Sequence, residues 1–230
     1  MGGPPPLRCT MEQLPPLWHD RREAGLALAH QCADLRGMEQ TVLIGLPRGG
    51  VAVAEPMAHE LRLPLLPWAV RKLADPAWPE VAIGAVAPGD VVLWAPPRGE
   101  GSQLSTHDRR ALVRAQRREL LRRQQLYGDP EAAALRGLHL VVVDDGIATA
   151  LTARAALLSL RLVEPASLTL AVPLMDEQVL PDFEFLVQRL VVLAVVRRLE
   201  SVGLWYERFE QLDDAAVLQL LAQARLLCPT

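Results

Sequence analysis

Val141-Val142-Val143-Asp144-Asp145-Gly146-Ile147-Ala148-Thr149-Ala150-Leu151-Thr152 is the stretch on which the reading of this chain turns. It follows the strongest strand signal in the sequence, Leu138 to Val143, an aliphatic and β-branched run with little alternation, as expected where a sheet is covered on both faces. Two acids stand at the carboxyl end of that strand, small and hydroxyl residues follow, and a helix is predicted from Thr152 to Leu162. Open α/β sheets bind ligands at that edge. A loop entering a helix N-terminus points backbone N–H groups outward, and the helix dipole adds partial positive charge, so a phosphate monoester is held there. Thr149 and Thr152 supply hydroxyl donors. The Asp144 and Asp145 carboxylates would repel the phosphate itself, but they suit the hydroxyls of a ribose or a Mg²⁺ carried with a pyrophosphate. Phosphate on one side and diol on the other describes a ribose 5-phosphate. An isolated Asp pair reads equally as a solvated strand end and N-cap region; the buried strand before it and the hydroxyl loop after it favour the site.

Working outward, Asp20 is placed to cap a first helix whose apolar face is Ala24, Leu26, Leu28, Ala29, Cys32 and Leu35, ending at Gly37. Thr41 to Leu46 reads as a strand, and Val51 to Leu61 as a helix with Pro56 near its first turns. Leu65 to Val70 is a second strand, and Ala82 to Ala87 with Val91 to Trp94 form a hairpin around Pro88, Gly89 and Asp90. Segment 75–102, rich in proline and glycine, is an elaborated connection leading into a long polar helix from Ser105 to Tyr127, with Gly128 as its terminator. Leu168 to Val172 and Leu190 to Val196 add strands, and Asp213 to Leu227 closes the chain as an amphipathic helix. Strands alternating with helices predict an α/β fold with a doubly wound, mostly parallel sheet, carrying the hairpin and long helix as an insertion.

Bulk properties agree with one large domain over residues 18–230, preceded by a flexible, proline-rich arm over residues 1–17. A net charge of −3 gives no global attraction to nucleic acid or to an anionic membrane. Arg109, Arg110, Arg114, Arg117, Arg118, Arg122 and Arg123 crowd the long helix, but without interleaved aromatics they read as a solvated or salt-bridged face. Three cysteines, Cys9, Cys32 and Cys228, lack metal-ligand spacing and read as free thiols. The N-terminus has no signal-peptide apolar core, and the run from Leu186 to Val196 is broken by Gln188 and Arg189. A cytoplasmic protein is expected. The histidines form no ligand pair, no serine sits in a nucleophile elbow, and the first strand-to-helix turn lacks the G-x-G-x-x-G of a dinucleotide site.

Pro47-Arg48-Gly49-Gly50 follows the first strand and so reaches the same sheet edge as the acidic pair; paired glycines let backbone approach an anion and Arg48 brings charge, although a plain strand-to-helix turn also explains Gly-Gly. Arg71 and Lys72 end the second predicted strand, where they would neutralise a departing pyrophosphate. Trp205 and Tyr206 form either an aromatic platform for a base or a seal between helix and sheet.

The 141–152 segment resembles the phosphoribosyl pyrophosphate signature of type I phosphoribosyltransferases, in which two acids precede a Thr-Gly-x-Thr loop. Asp20-Arg21 with Ala24-Gly25, Leu46-Pro47-Arg48-Gly49-Gly50-Val51, Val70-Arg71-Lys72-Leu73, Glu80 to Ala85 and Val202-Gly203-Leu204-Trp205-Tyr206 extend the likeness, to stand-alone bacterial members of this length, over residues 18–222. The resemblance implies transfer of 5-phosphoribosyl from phosphoribosyl pyrophosphate, with Mg²⁺, to an acceptor, and membership of a homodimer. Within it Asp144 and Asp145 hold the ribose hydroxyls, directly or through Mg²⁺; Gly146, Ile147, Ala148, Thr149, Ala150, Leu151 and Thr152 hold the 5-phosphate; and Arg48, Gly49, Gly50, Arg71 and Lys72 meet pyrophosphate. It also implies that pyrophosphate enters the Arg48 loop through an unusual peptide geometry. One position departs: Ala150 and bulky Leu151 stand where the family has glycine and its neighbour. If position 150 needs φ > 0, its Cβ costs on the order of 1 kcal/mol, and the chain is instead a binding or sensor module on the same fold.

Overall fold

The computed structural model describes residues 7–10, 16–96 and 104–225. Six parallel strands form the main sheet, in the order β1 (Leu7–Thr10), β9 (Arg189–Arg197), β8 (Ser167–Asp176), β7 (His139–Val143), β2 (Thr41–Gly45) and β3 (Leu65–Pro67). Its inner strands alternate between two hydrophobic layers. Ile44, Val142, Leu170 and Val172 face α4 (Leu151–Arg161), while Leu43, Val141, Val143 and Ala171 face the layer of α1 (Arg21–Gln31), α2 (Gly49–Leu61) and α6 (Asp214–Arg225). Both faces are covered, which explains the unbroken apolar runs.

Local chemistry sets the helix ends. Asp20 accepts from the Glu23 N–H to open α1, and Ser105 accepts from the Asp108 N–H to open α3 (Thr106–Tyr127), which Gly128 closes at φ 73°. Helix α2 begins two residues before the predicted Val51, so Pro56 lies in its interior. There it packs on Gly25, where a Cβ would sit 2.2 Å from the Val53 carbonyl oxygen and 2.5 Å from Pro56 Cγ. The glycine is what allows α1 to cross α2 so closely.

Three expectations change. Leu65 to Val70 is not one strand: β3 stops at Pro67, and the chain crosses to a second, antiparallel sheet of β4 (Arg71–Ala74), β5 (Ala82–Ala87) and β6 (Val91–Trp94). Pro67 has no N–H to extend the ladder, and the Trp68 N–H closes it on the Gly45 carbonyl. The hairpin is therefore two-thirds of a sheet, packed between α3 and α4 and pinned by Ser159, which accepts from Trp68 Nε1 and donates to the Pro88 carbonyl. Within the segment expected to be a flexible arm, Leu7–Thr10 is an edge strand on β9, whose outer backbone groups it satisfies. The rest of residues 1–15 and residues 97–103 of the proline-rich connection lie outside the described residues, as do Cys9's side chain and Cys228; Cys32 is a buried free thiol. Among the described residues no helix is long and apolar enough to cross a membrane.

Candidate functional site

Strand β2 is followed in the sheet by β3 on one side and β7 on the other, so the chain's winding reverses between β2 and β7. The crevice beyond their carboxyl ends is where such sheets bind ligands. Gly45 and Val143 are paired at that end, and the Leu46 N–H donates to the Val143 carbonyl at 3.0 Å. The two predicted loops thus leave the sheet side by side.

The Pro47–Arg48 peptide is cis, the unusual geometry the resemblance implies. Gly49 and Gly50 begin α2 against the acidic pair. A Cβ on Gly49 would lie 1.9 Å from Asp145 Oδ2, and one on Gly50 would lie 2.3 Å from the Val143 carbonyl oxygen. The glycines are required by this contact between loops, before any anion is considered. Arg48 has no side-chain hydrogen bond or ion pair among the described residues, and it is half-buried.

Asp145 is held from three sides. Its Oδ2 accepts from Arg21 Nε at 2.9 Å, its carbonyl accepts from the Tyr206 hydroxyl at 2.6 Å, and its N–H donates to Asp144 Oδ1 at 3.0 Å. Arg21 also donates to the Glu210 carbonyl and lies 3.7 Å over the Phe209 ring. Burial pushes both carboxyls above the usual carboxylate range. For Asp144, raised furthest, the Asp145 charge adds to burial; for Asp145, Arg21 opposes it. Arg21 is the part of the site that the sequence left without a role, and the Tyr206 hydroxyl bond to the acidic loop lies outside both roles expected of that ring. The pairing of Asp20-Arg21 with the 141–152 motif was the only available signal for the first. Trp205 and Tyr206 are 3% and 4% exposed, so they seal the sheet edge and offer no free platform for a base.

The phosphate loop divides into anchors and open groups. Ile147 is buried, with its N–H on the Leu174 carbonyl and its own carbonyl receiving the Asp176 N–H. It ties the loop to β8 and has no amide to spare for phosphate, contrary to its expected role. Gly146 lets the loop pass within van der Waals reach of Val202 and Leu174, where a Cβ would meet side-chain carbons at 2.9 to 3.0 Å. The first bond of α4 is from the Arg154 N–H to the Ala150 carbonyl, and no side chain caps this end. The N–H groups of Leu151, Thr152 and Ala153 therefore precede any helical acceptor and form the anion-ready end. Thr149 is exposed and Thr152 half-buried beside them.

Ala150 does not need glycine's freedom. Its φ of −72° and ψ of −21° are ordinary helical values, and it is 8% exposed in the core beneath α4, with Leu151 packed on the same cluster. Both departures point inward, away from the open amides.

Arg71 and Lys72 separate. On β4 neighbouring side chains take opposite faces. Arg71 turns to α3 and donates to Gln116 Oε1 at 3.1 Å, while Lys72 Nζ donates to the Pro79 and Glu80 carbonyls at 3.2 Å each. Arg71 is thus turned in against α3, while Lys72 stays exposed on β4 with its ammonium tied to the carbonyls of the loop that follows. Among the described residues no group of three or more His, Cys, Asp or Glu is arranged to hold a metal ion.

Residues 22–185 match the family model of the phosphoribosyl transferase domain. Two Mycobacterium tuberculosis proteins, named "Putative phosphoribosyl transferase Rv0571c" (strain H37Rv) and "Putative phosphoribosyl transferase MT0597" (strain CDC 1551), are each 36% identical over 209 residues, covering 90% of this chain and 47% of theirs. The chain spans about half the length of these curated relatives. The crystal structure of TT1426 from Thermus thermophilus superposes with a TM-score of 0.68 at 33% identity, over 89% of this chain and 97% of that one.

Proposed function

We propose, from the premise that this chain belongs to the phosphoribosyl transferase domain family, that it binds 5-phosphoribosyl pyrophosphate and transfers the phosphoribosyl group to a nitrogen acceptor. The observation that carries this reading is the convergence, at one switch-point crevice, of an uncapped helix N-terminus, an acidic pair and an unpartnered arginine. The 5-phosphate sits on the Leu151, Thr152 and Ala153 amides and the Thr149 and Thr152 hydroxyls. Asp144 accepts from the ribose hydroxyls. Asp145, already held by Arg21, fixes the loop and the start of α2. Arg48, the Gly49-Gly50 turn and Arg71 meet pyrophosphate.

In the reaction the bond from C1 to pyrophosphate breaks with its electron pair leaving on oxygen, and the acceptor nitrogen's lone pair forms the new bond to C1. The transition state carries oxocarbenium character, as in glycoside hydrolysis. Placing the donor and stabilising the leaving charge are what the protein contributes. Asp144, with one carboxylate oxygen free of the loop, would hold a Mg²⁺ carried with the donor, which would supply charge neutralisation for the leaving group.

The test is ³¹P NMR of the full chain with phosphoribosyl pyrophosphate, Mg²⁺ and a panel of nucleobases and amines. Acceptor-dependent inorganic pyrophosphate is the expected product. Tight calorimetric binding with no turnover would make the chain a phosphoribosyl-binding module, and no heat at millimolar donor would sink both readings.

A further inference from the structure

We propose that Arg123, presented by α3, is a third pyrophosphate-binding arginine beside Arg48 and Arg71, an inference that rests on the reading of the site given above. Gln116, Leu120, Arg123 and Tyr127 recur at helical spacing and make one face of α3. That face is the one turned to the site: Gln116 holds Arg71, Leu120 packs with Leu73 of β4, and Tyr127 is buried. Arg123 therefore lies on this face between Gln116, which positions Arg71, and the buried Tyr127.

Its own surroundings leave it available. The side chain is 12% exposed, and among the described residues its hydrogen bonding stops at Nε, which donates to Glu119 Oε1 at 2.9 Å. The terminal nitrogens are left for another acceptor. Glu119 also binds Arg122, and Arg122 with the Tyr127 hydroxyl binds Asp214 on α6. Glu119 is thus shared between Arg122 and Arg123, and Asp214 between Arg122 and Tyr127, while among the described residues Arg48 and Arg71 have no carboxylate partner, so guanidinium charge exceeds carboxylate charge in this cluster. Burial first, then the Arg123 charge and more weakly that of Arg48, holds the Arg71 guanidinium below its usual range. Such crowding is relieved by a multivalent anion. A pyrophosphate, with two phosphoryl groups, matches three arginines better than a monophosphate.

The rival is that Arg123 serves only as the partner of Glu119. Calorimetry of the full chain with inorganic pyrophosphate and Mg²⁺, and separately with ribose 5-phosphate, distinguishes the two. Arg123→Gln is expected to weaken pyrophosphate at least tenfold and to leave ribose 5-phosphate within twofold, with Arg123→Lys recovering part of the loss. Glu119→Gln, which removes the partner and keeps the charge, is expected to bind pyrophosphate as tightly as the parent or more so. Equal loss in Arg123→Gln and Glu119→Gln, unchanged pyrophosphate binding in Arg123→Gln, or joint loss of both ligands in that variant would overturn the inference while leaving the reading of the site intact. A parent chain that binds neither ligand would overturn both.

Discussion

Gly49 leaves no space for a methyl group, because the Asp145 carboxylate occupies the position a Cβ would take, 1.9 Å from Oδ2 and 2.3 Å from Cγ. Gly49→Ala must push α2 or the acidic loop aside. The expected outcome is a stability loss of about 1–3 kcal/mol in urea denaturation and at least a tenfold loss of ribose 5-phosphate affinity by calorimetry. Ala150 is the opposite case. Its backbone is right-handed and its methyl is in the core, so Ala150→Gly is expected to leave ribose 5-phosphate affinity within twofold and stability within about 1 kcal/mol. A large gain in affinity would show that the alanine obstructs the phosphate. The sequence exposes both acids and both glycines because each belongs to a contiguous strand-loop-helix signal. It does not expose the Arg21 bond to Asp145, which joins positions 124 residues apart, nor the inward turn of Ala150 and Leu151, which depends on where α4 meets the sheet.

Asp129, just after α3, shows what an element boundary can conceal. Its Oδ2 accepts from the Ala69 N–H at 2.7 Å at the entry to β4, while Oδ1 is buried without a hydrogen-bond partner. Burial pushes its carboxyl up to about 6. A carboxyl whose folded pKa lies above its unfolded value binds protons better in the folded state, so stability falls as pH rises from about 4 to 6 and the loss is complete above that range. Chemical denaturation of the parent should therefore show less stability at pH 8 than at pH 5 from this group, on the order of 1 kcal/mol, since only the step from pH 5 to about 6 lies inside that interval. Asp129→Asn should narrow the pH 5 to pH 8 difference, whatever fixed penalty the amide brings. The helix before this point was legible because its start and stop are local, at Ser105 and Gly128. The second sheet was not, because only the crossing at Pro67 and Trp68 separates β4 from β3, and apolar runs alone do not reveal which sheet a strand joins.

At the scale of the whole molecule, Arg21 fastens three distant parts of the chain together: the start of α1, the acidic loop after β7, and the segment 206–210 that precedes α6. Alternating strands and helices announce the layers of such a fold, and the closure of its edge by Arg21, Tyr206 and Phe209 emerges only in three dimensions. Replacing Arg21 by Met keeps much of the packing over Phe209 and strands the Asp145 carboxylate. Breaking a largely buried pair in this way is expected to cost roughly 2–4 kcal/mol, toward the lower end because Arg21 and Asp145 remain 12% and 16% exposed. The pH dependence fixes the mechanism. Asp145 already titrates above its unfolded value because burial outweighs Arg21, and removing the arginine raises it further. A group raised in the folded state withdraws stability as pH climbs through that raised value. The deficit of Arg21→Met relative to the parent should accordingly be larger at pH 8 than at pH 5 in paired urea titrations. A deficit independent of pH would mean that Arg21 acts by packing on Phe209 alone, and that the acidic loop is held by Tyr206 without it.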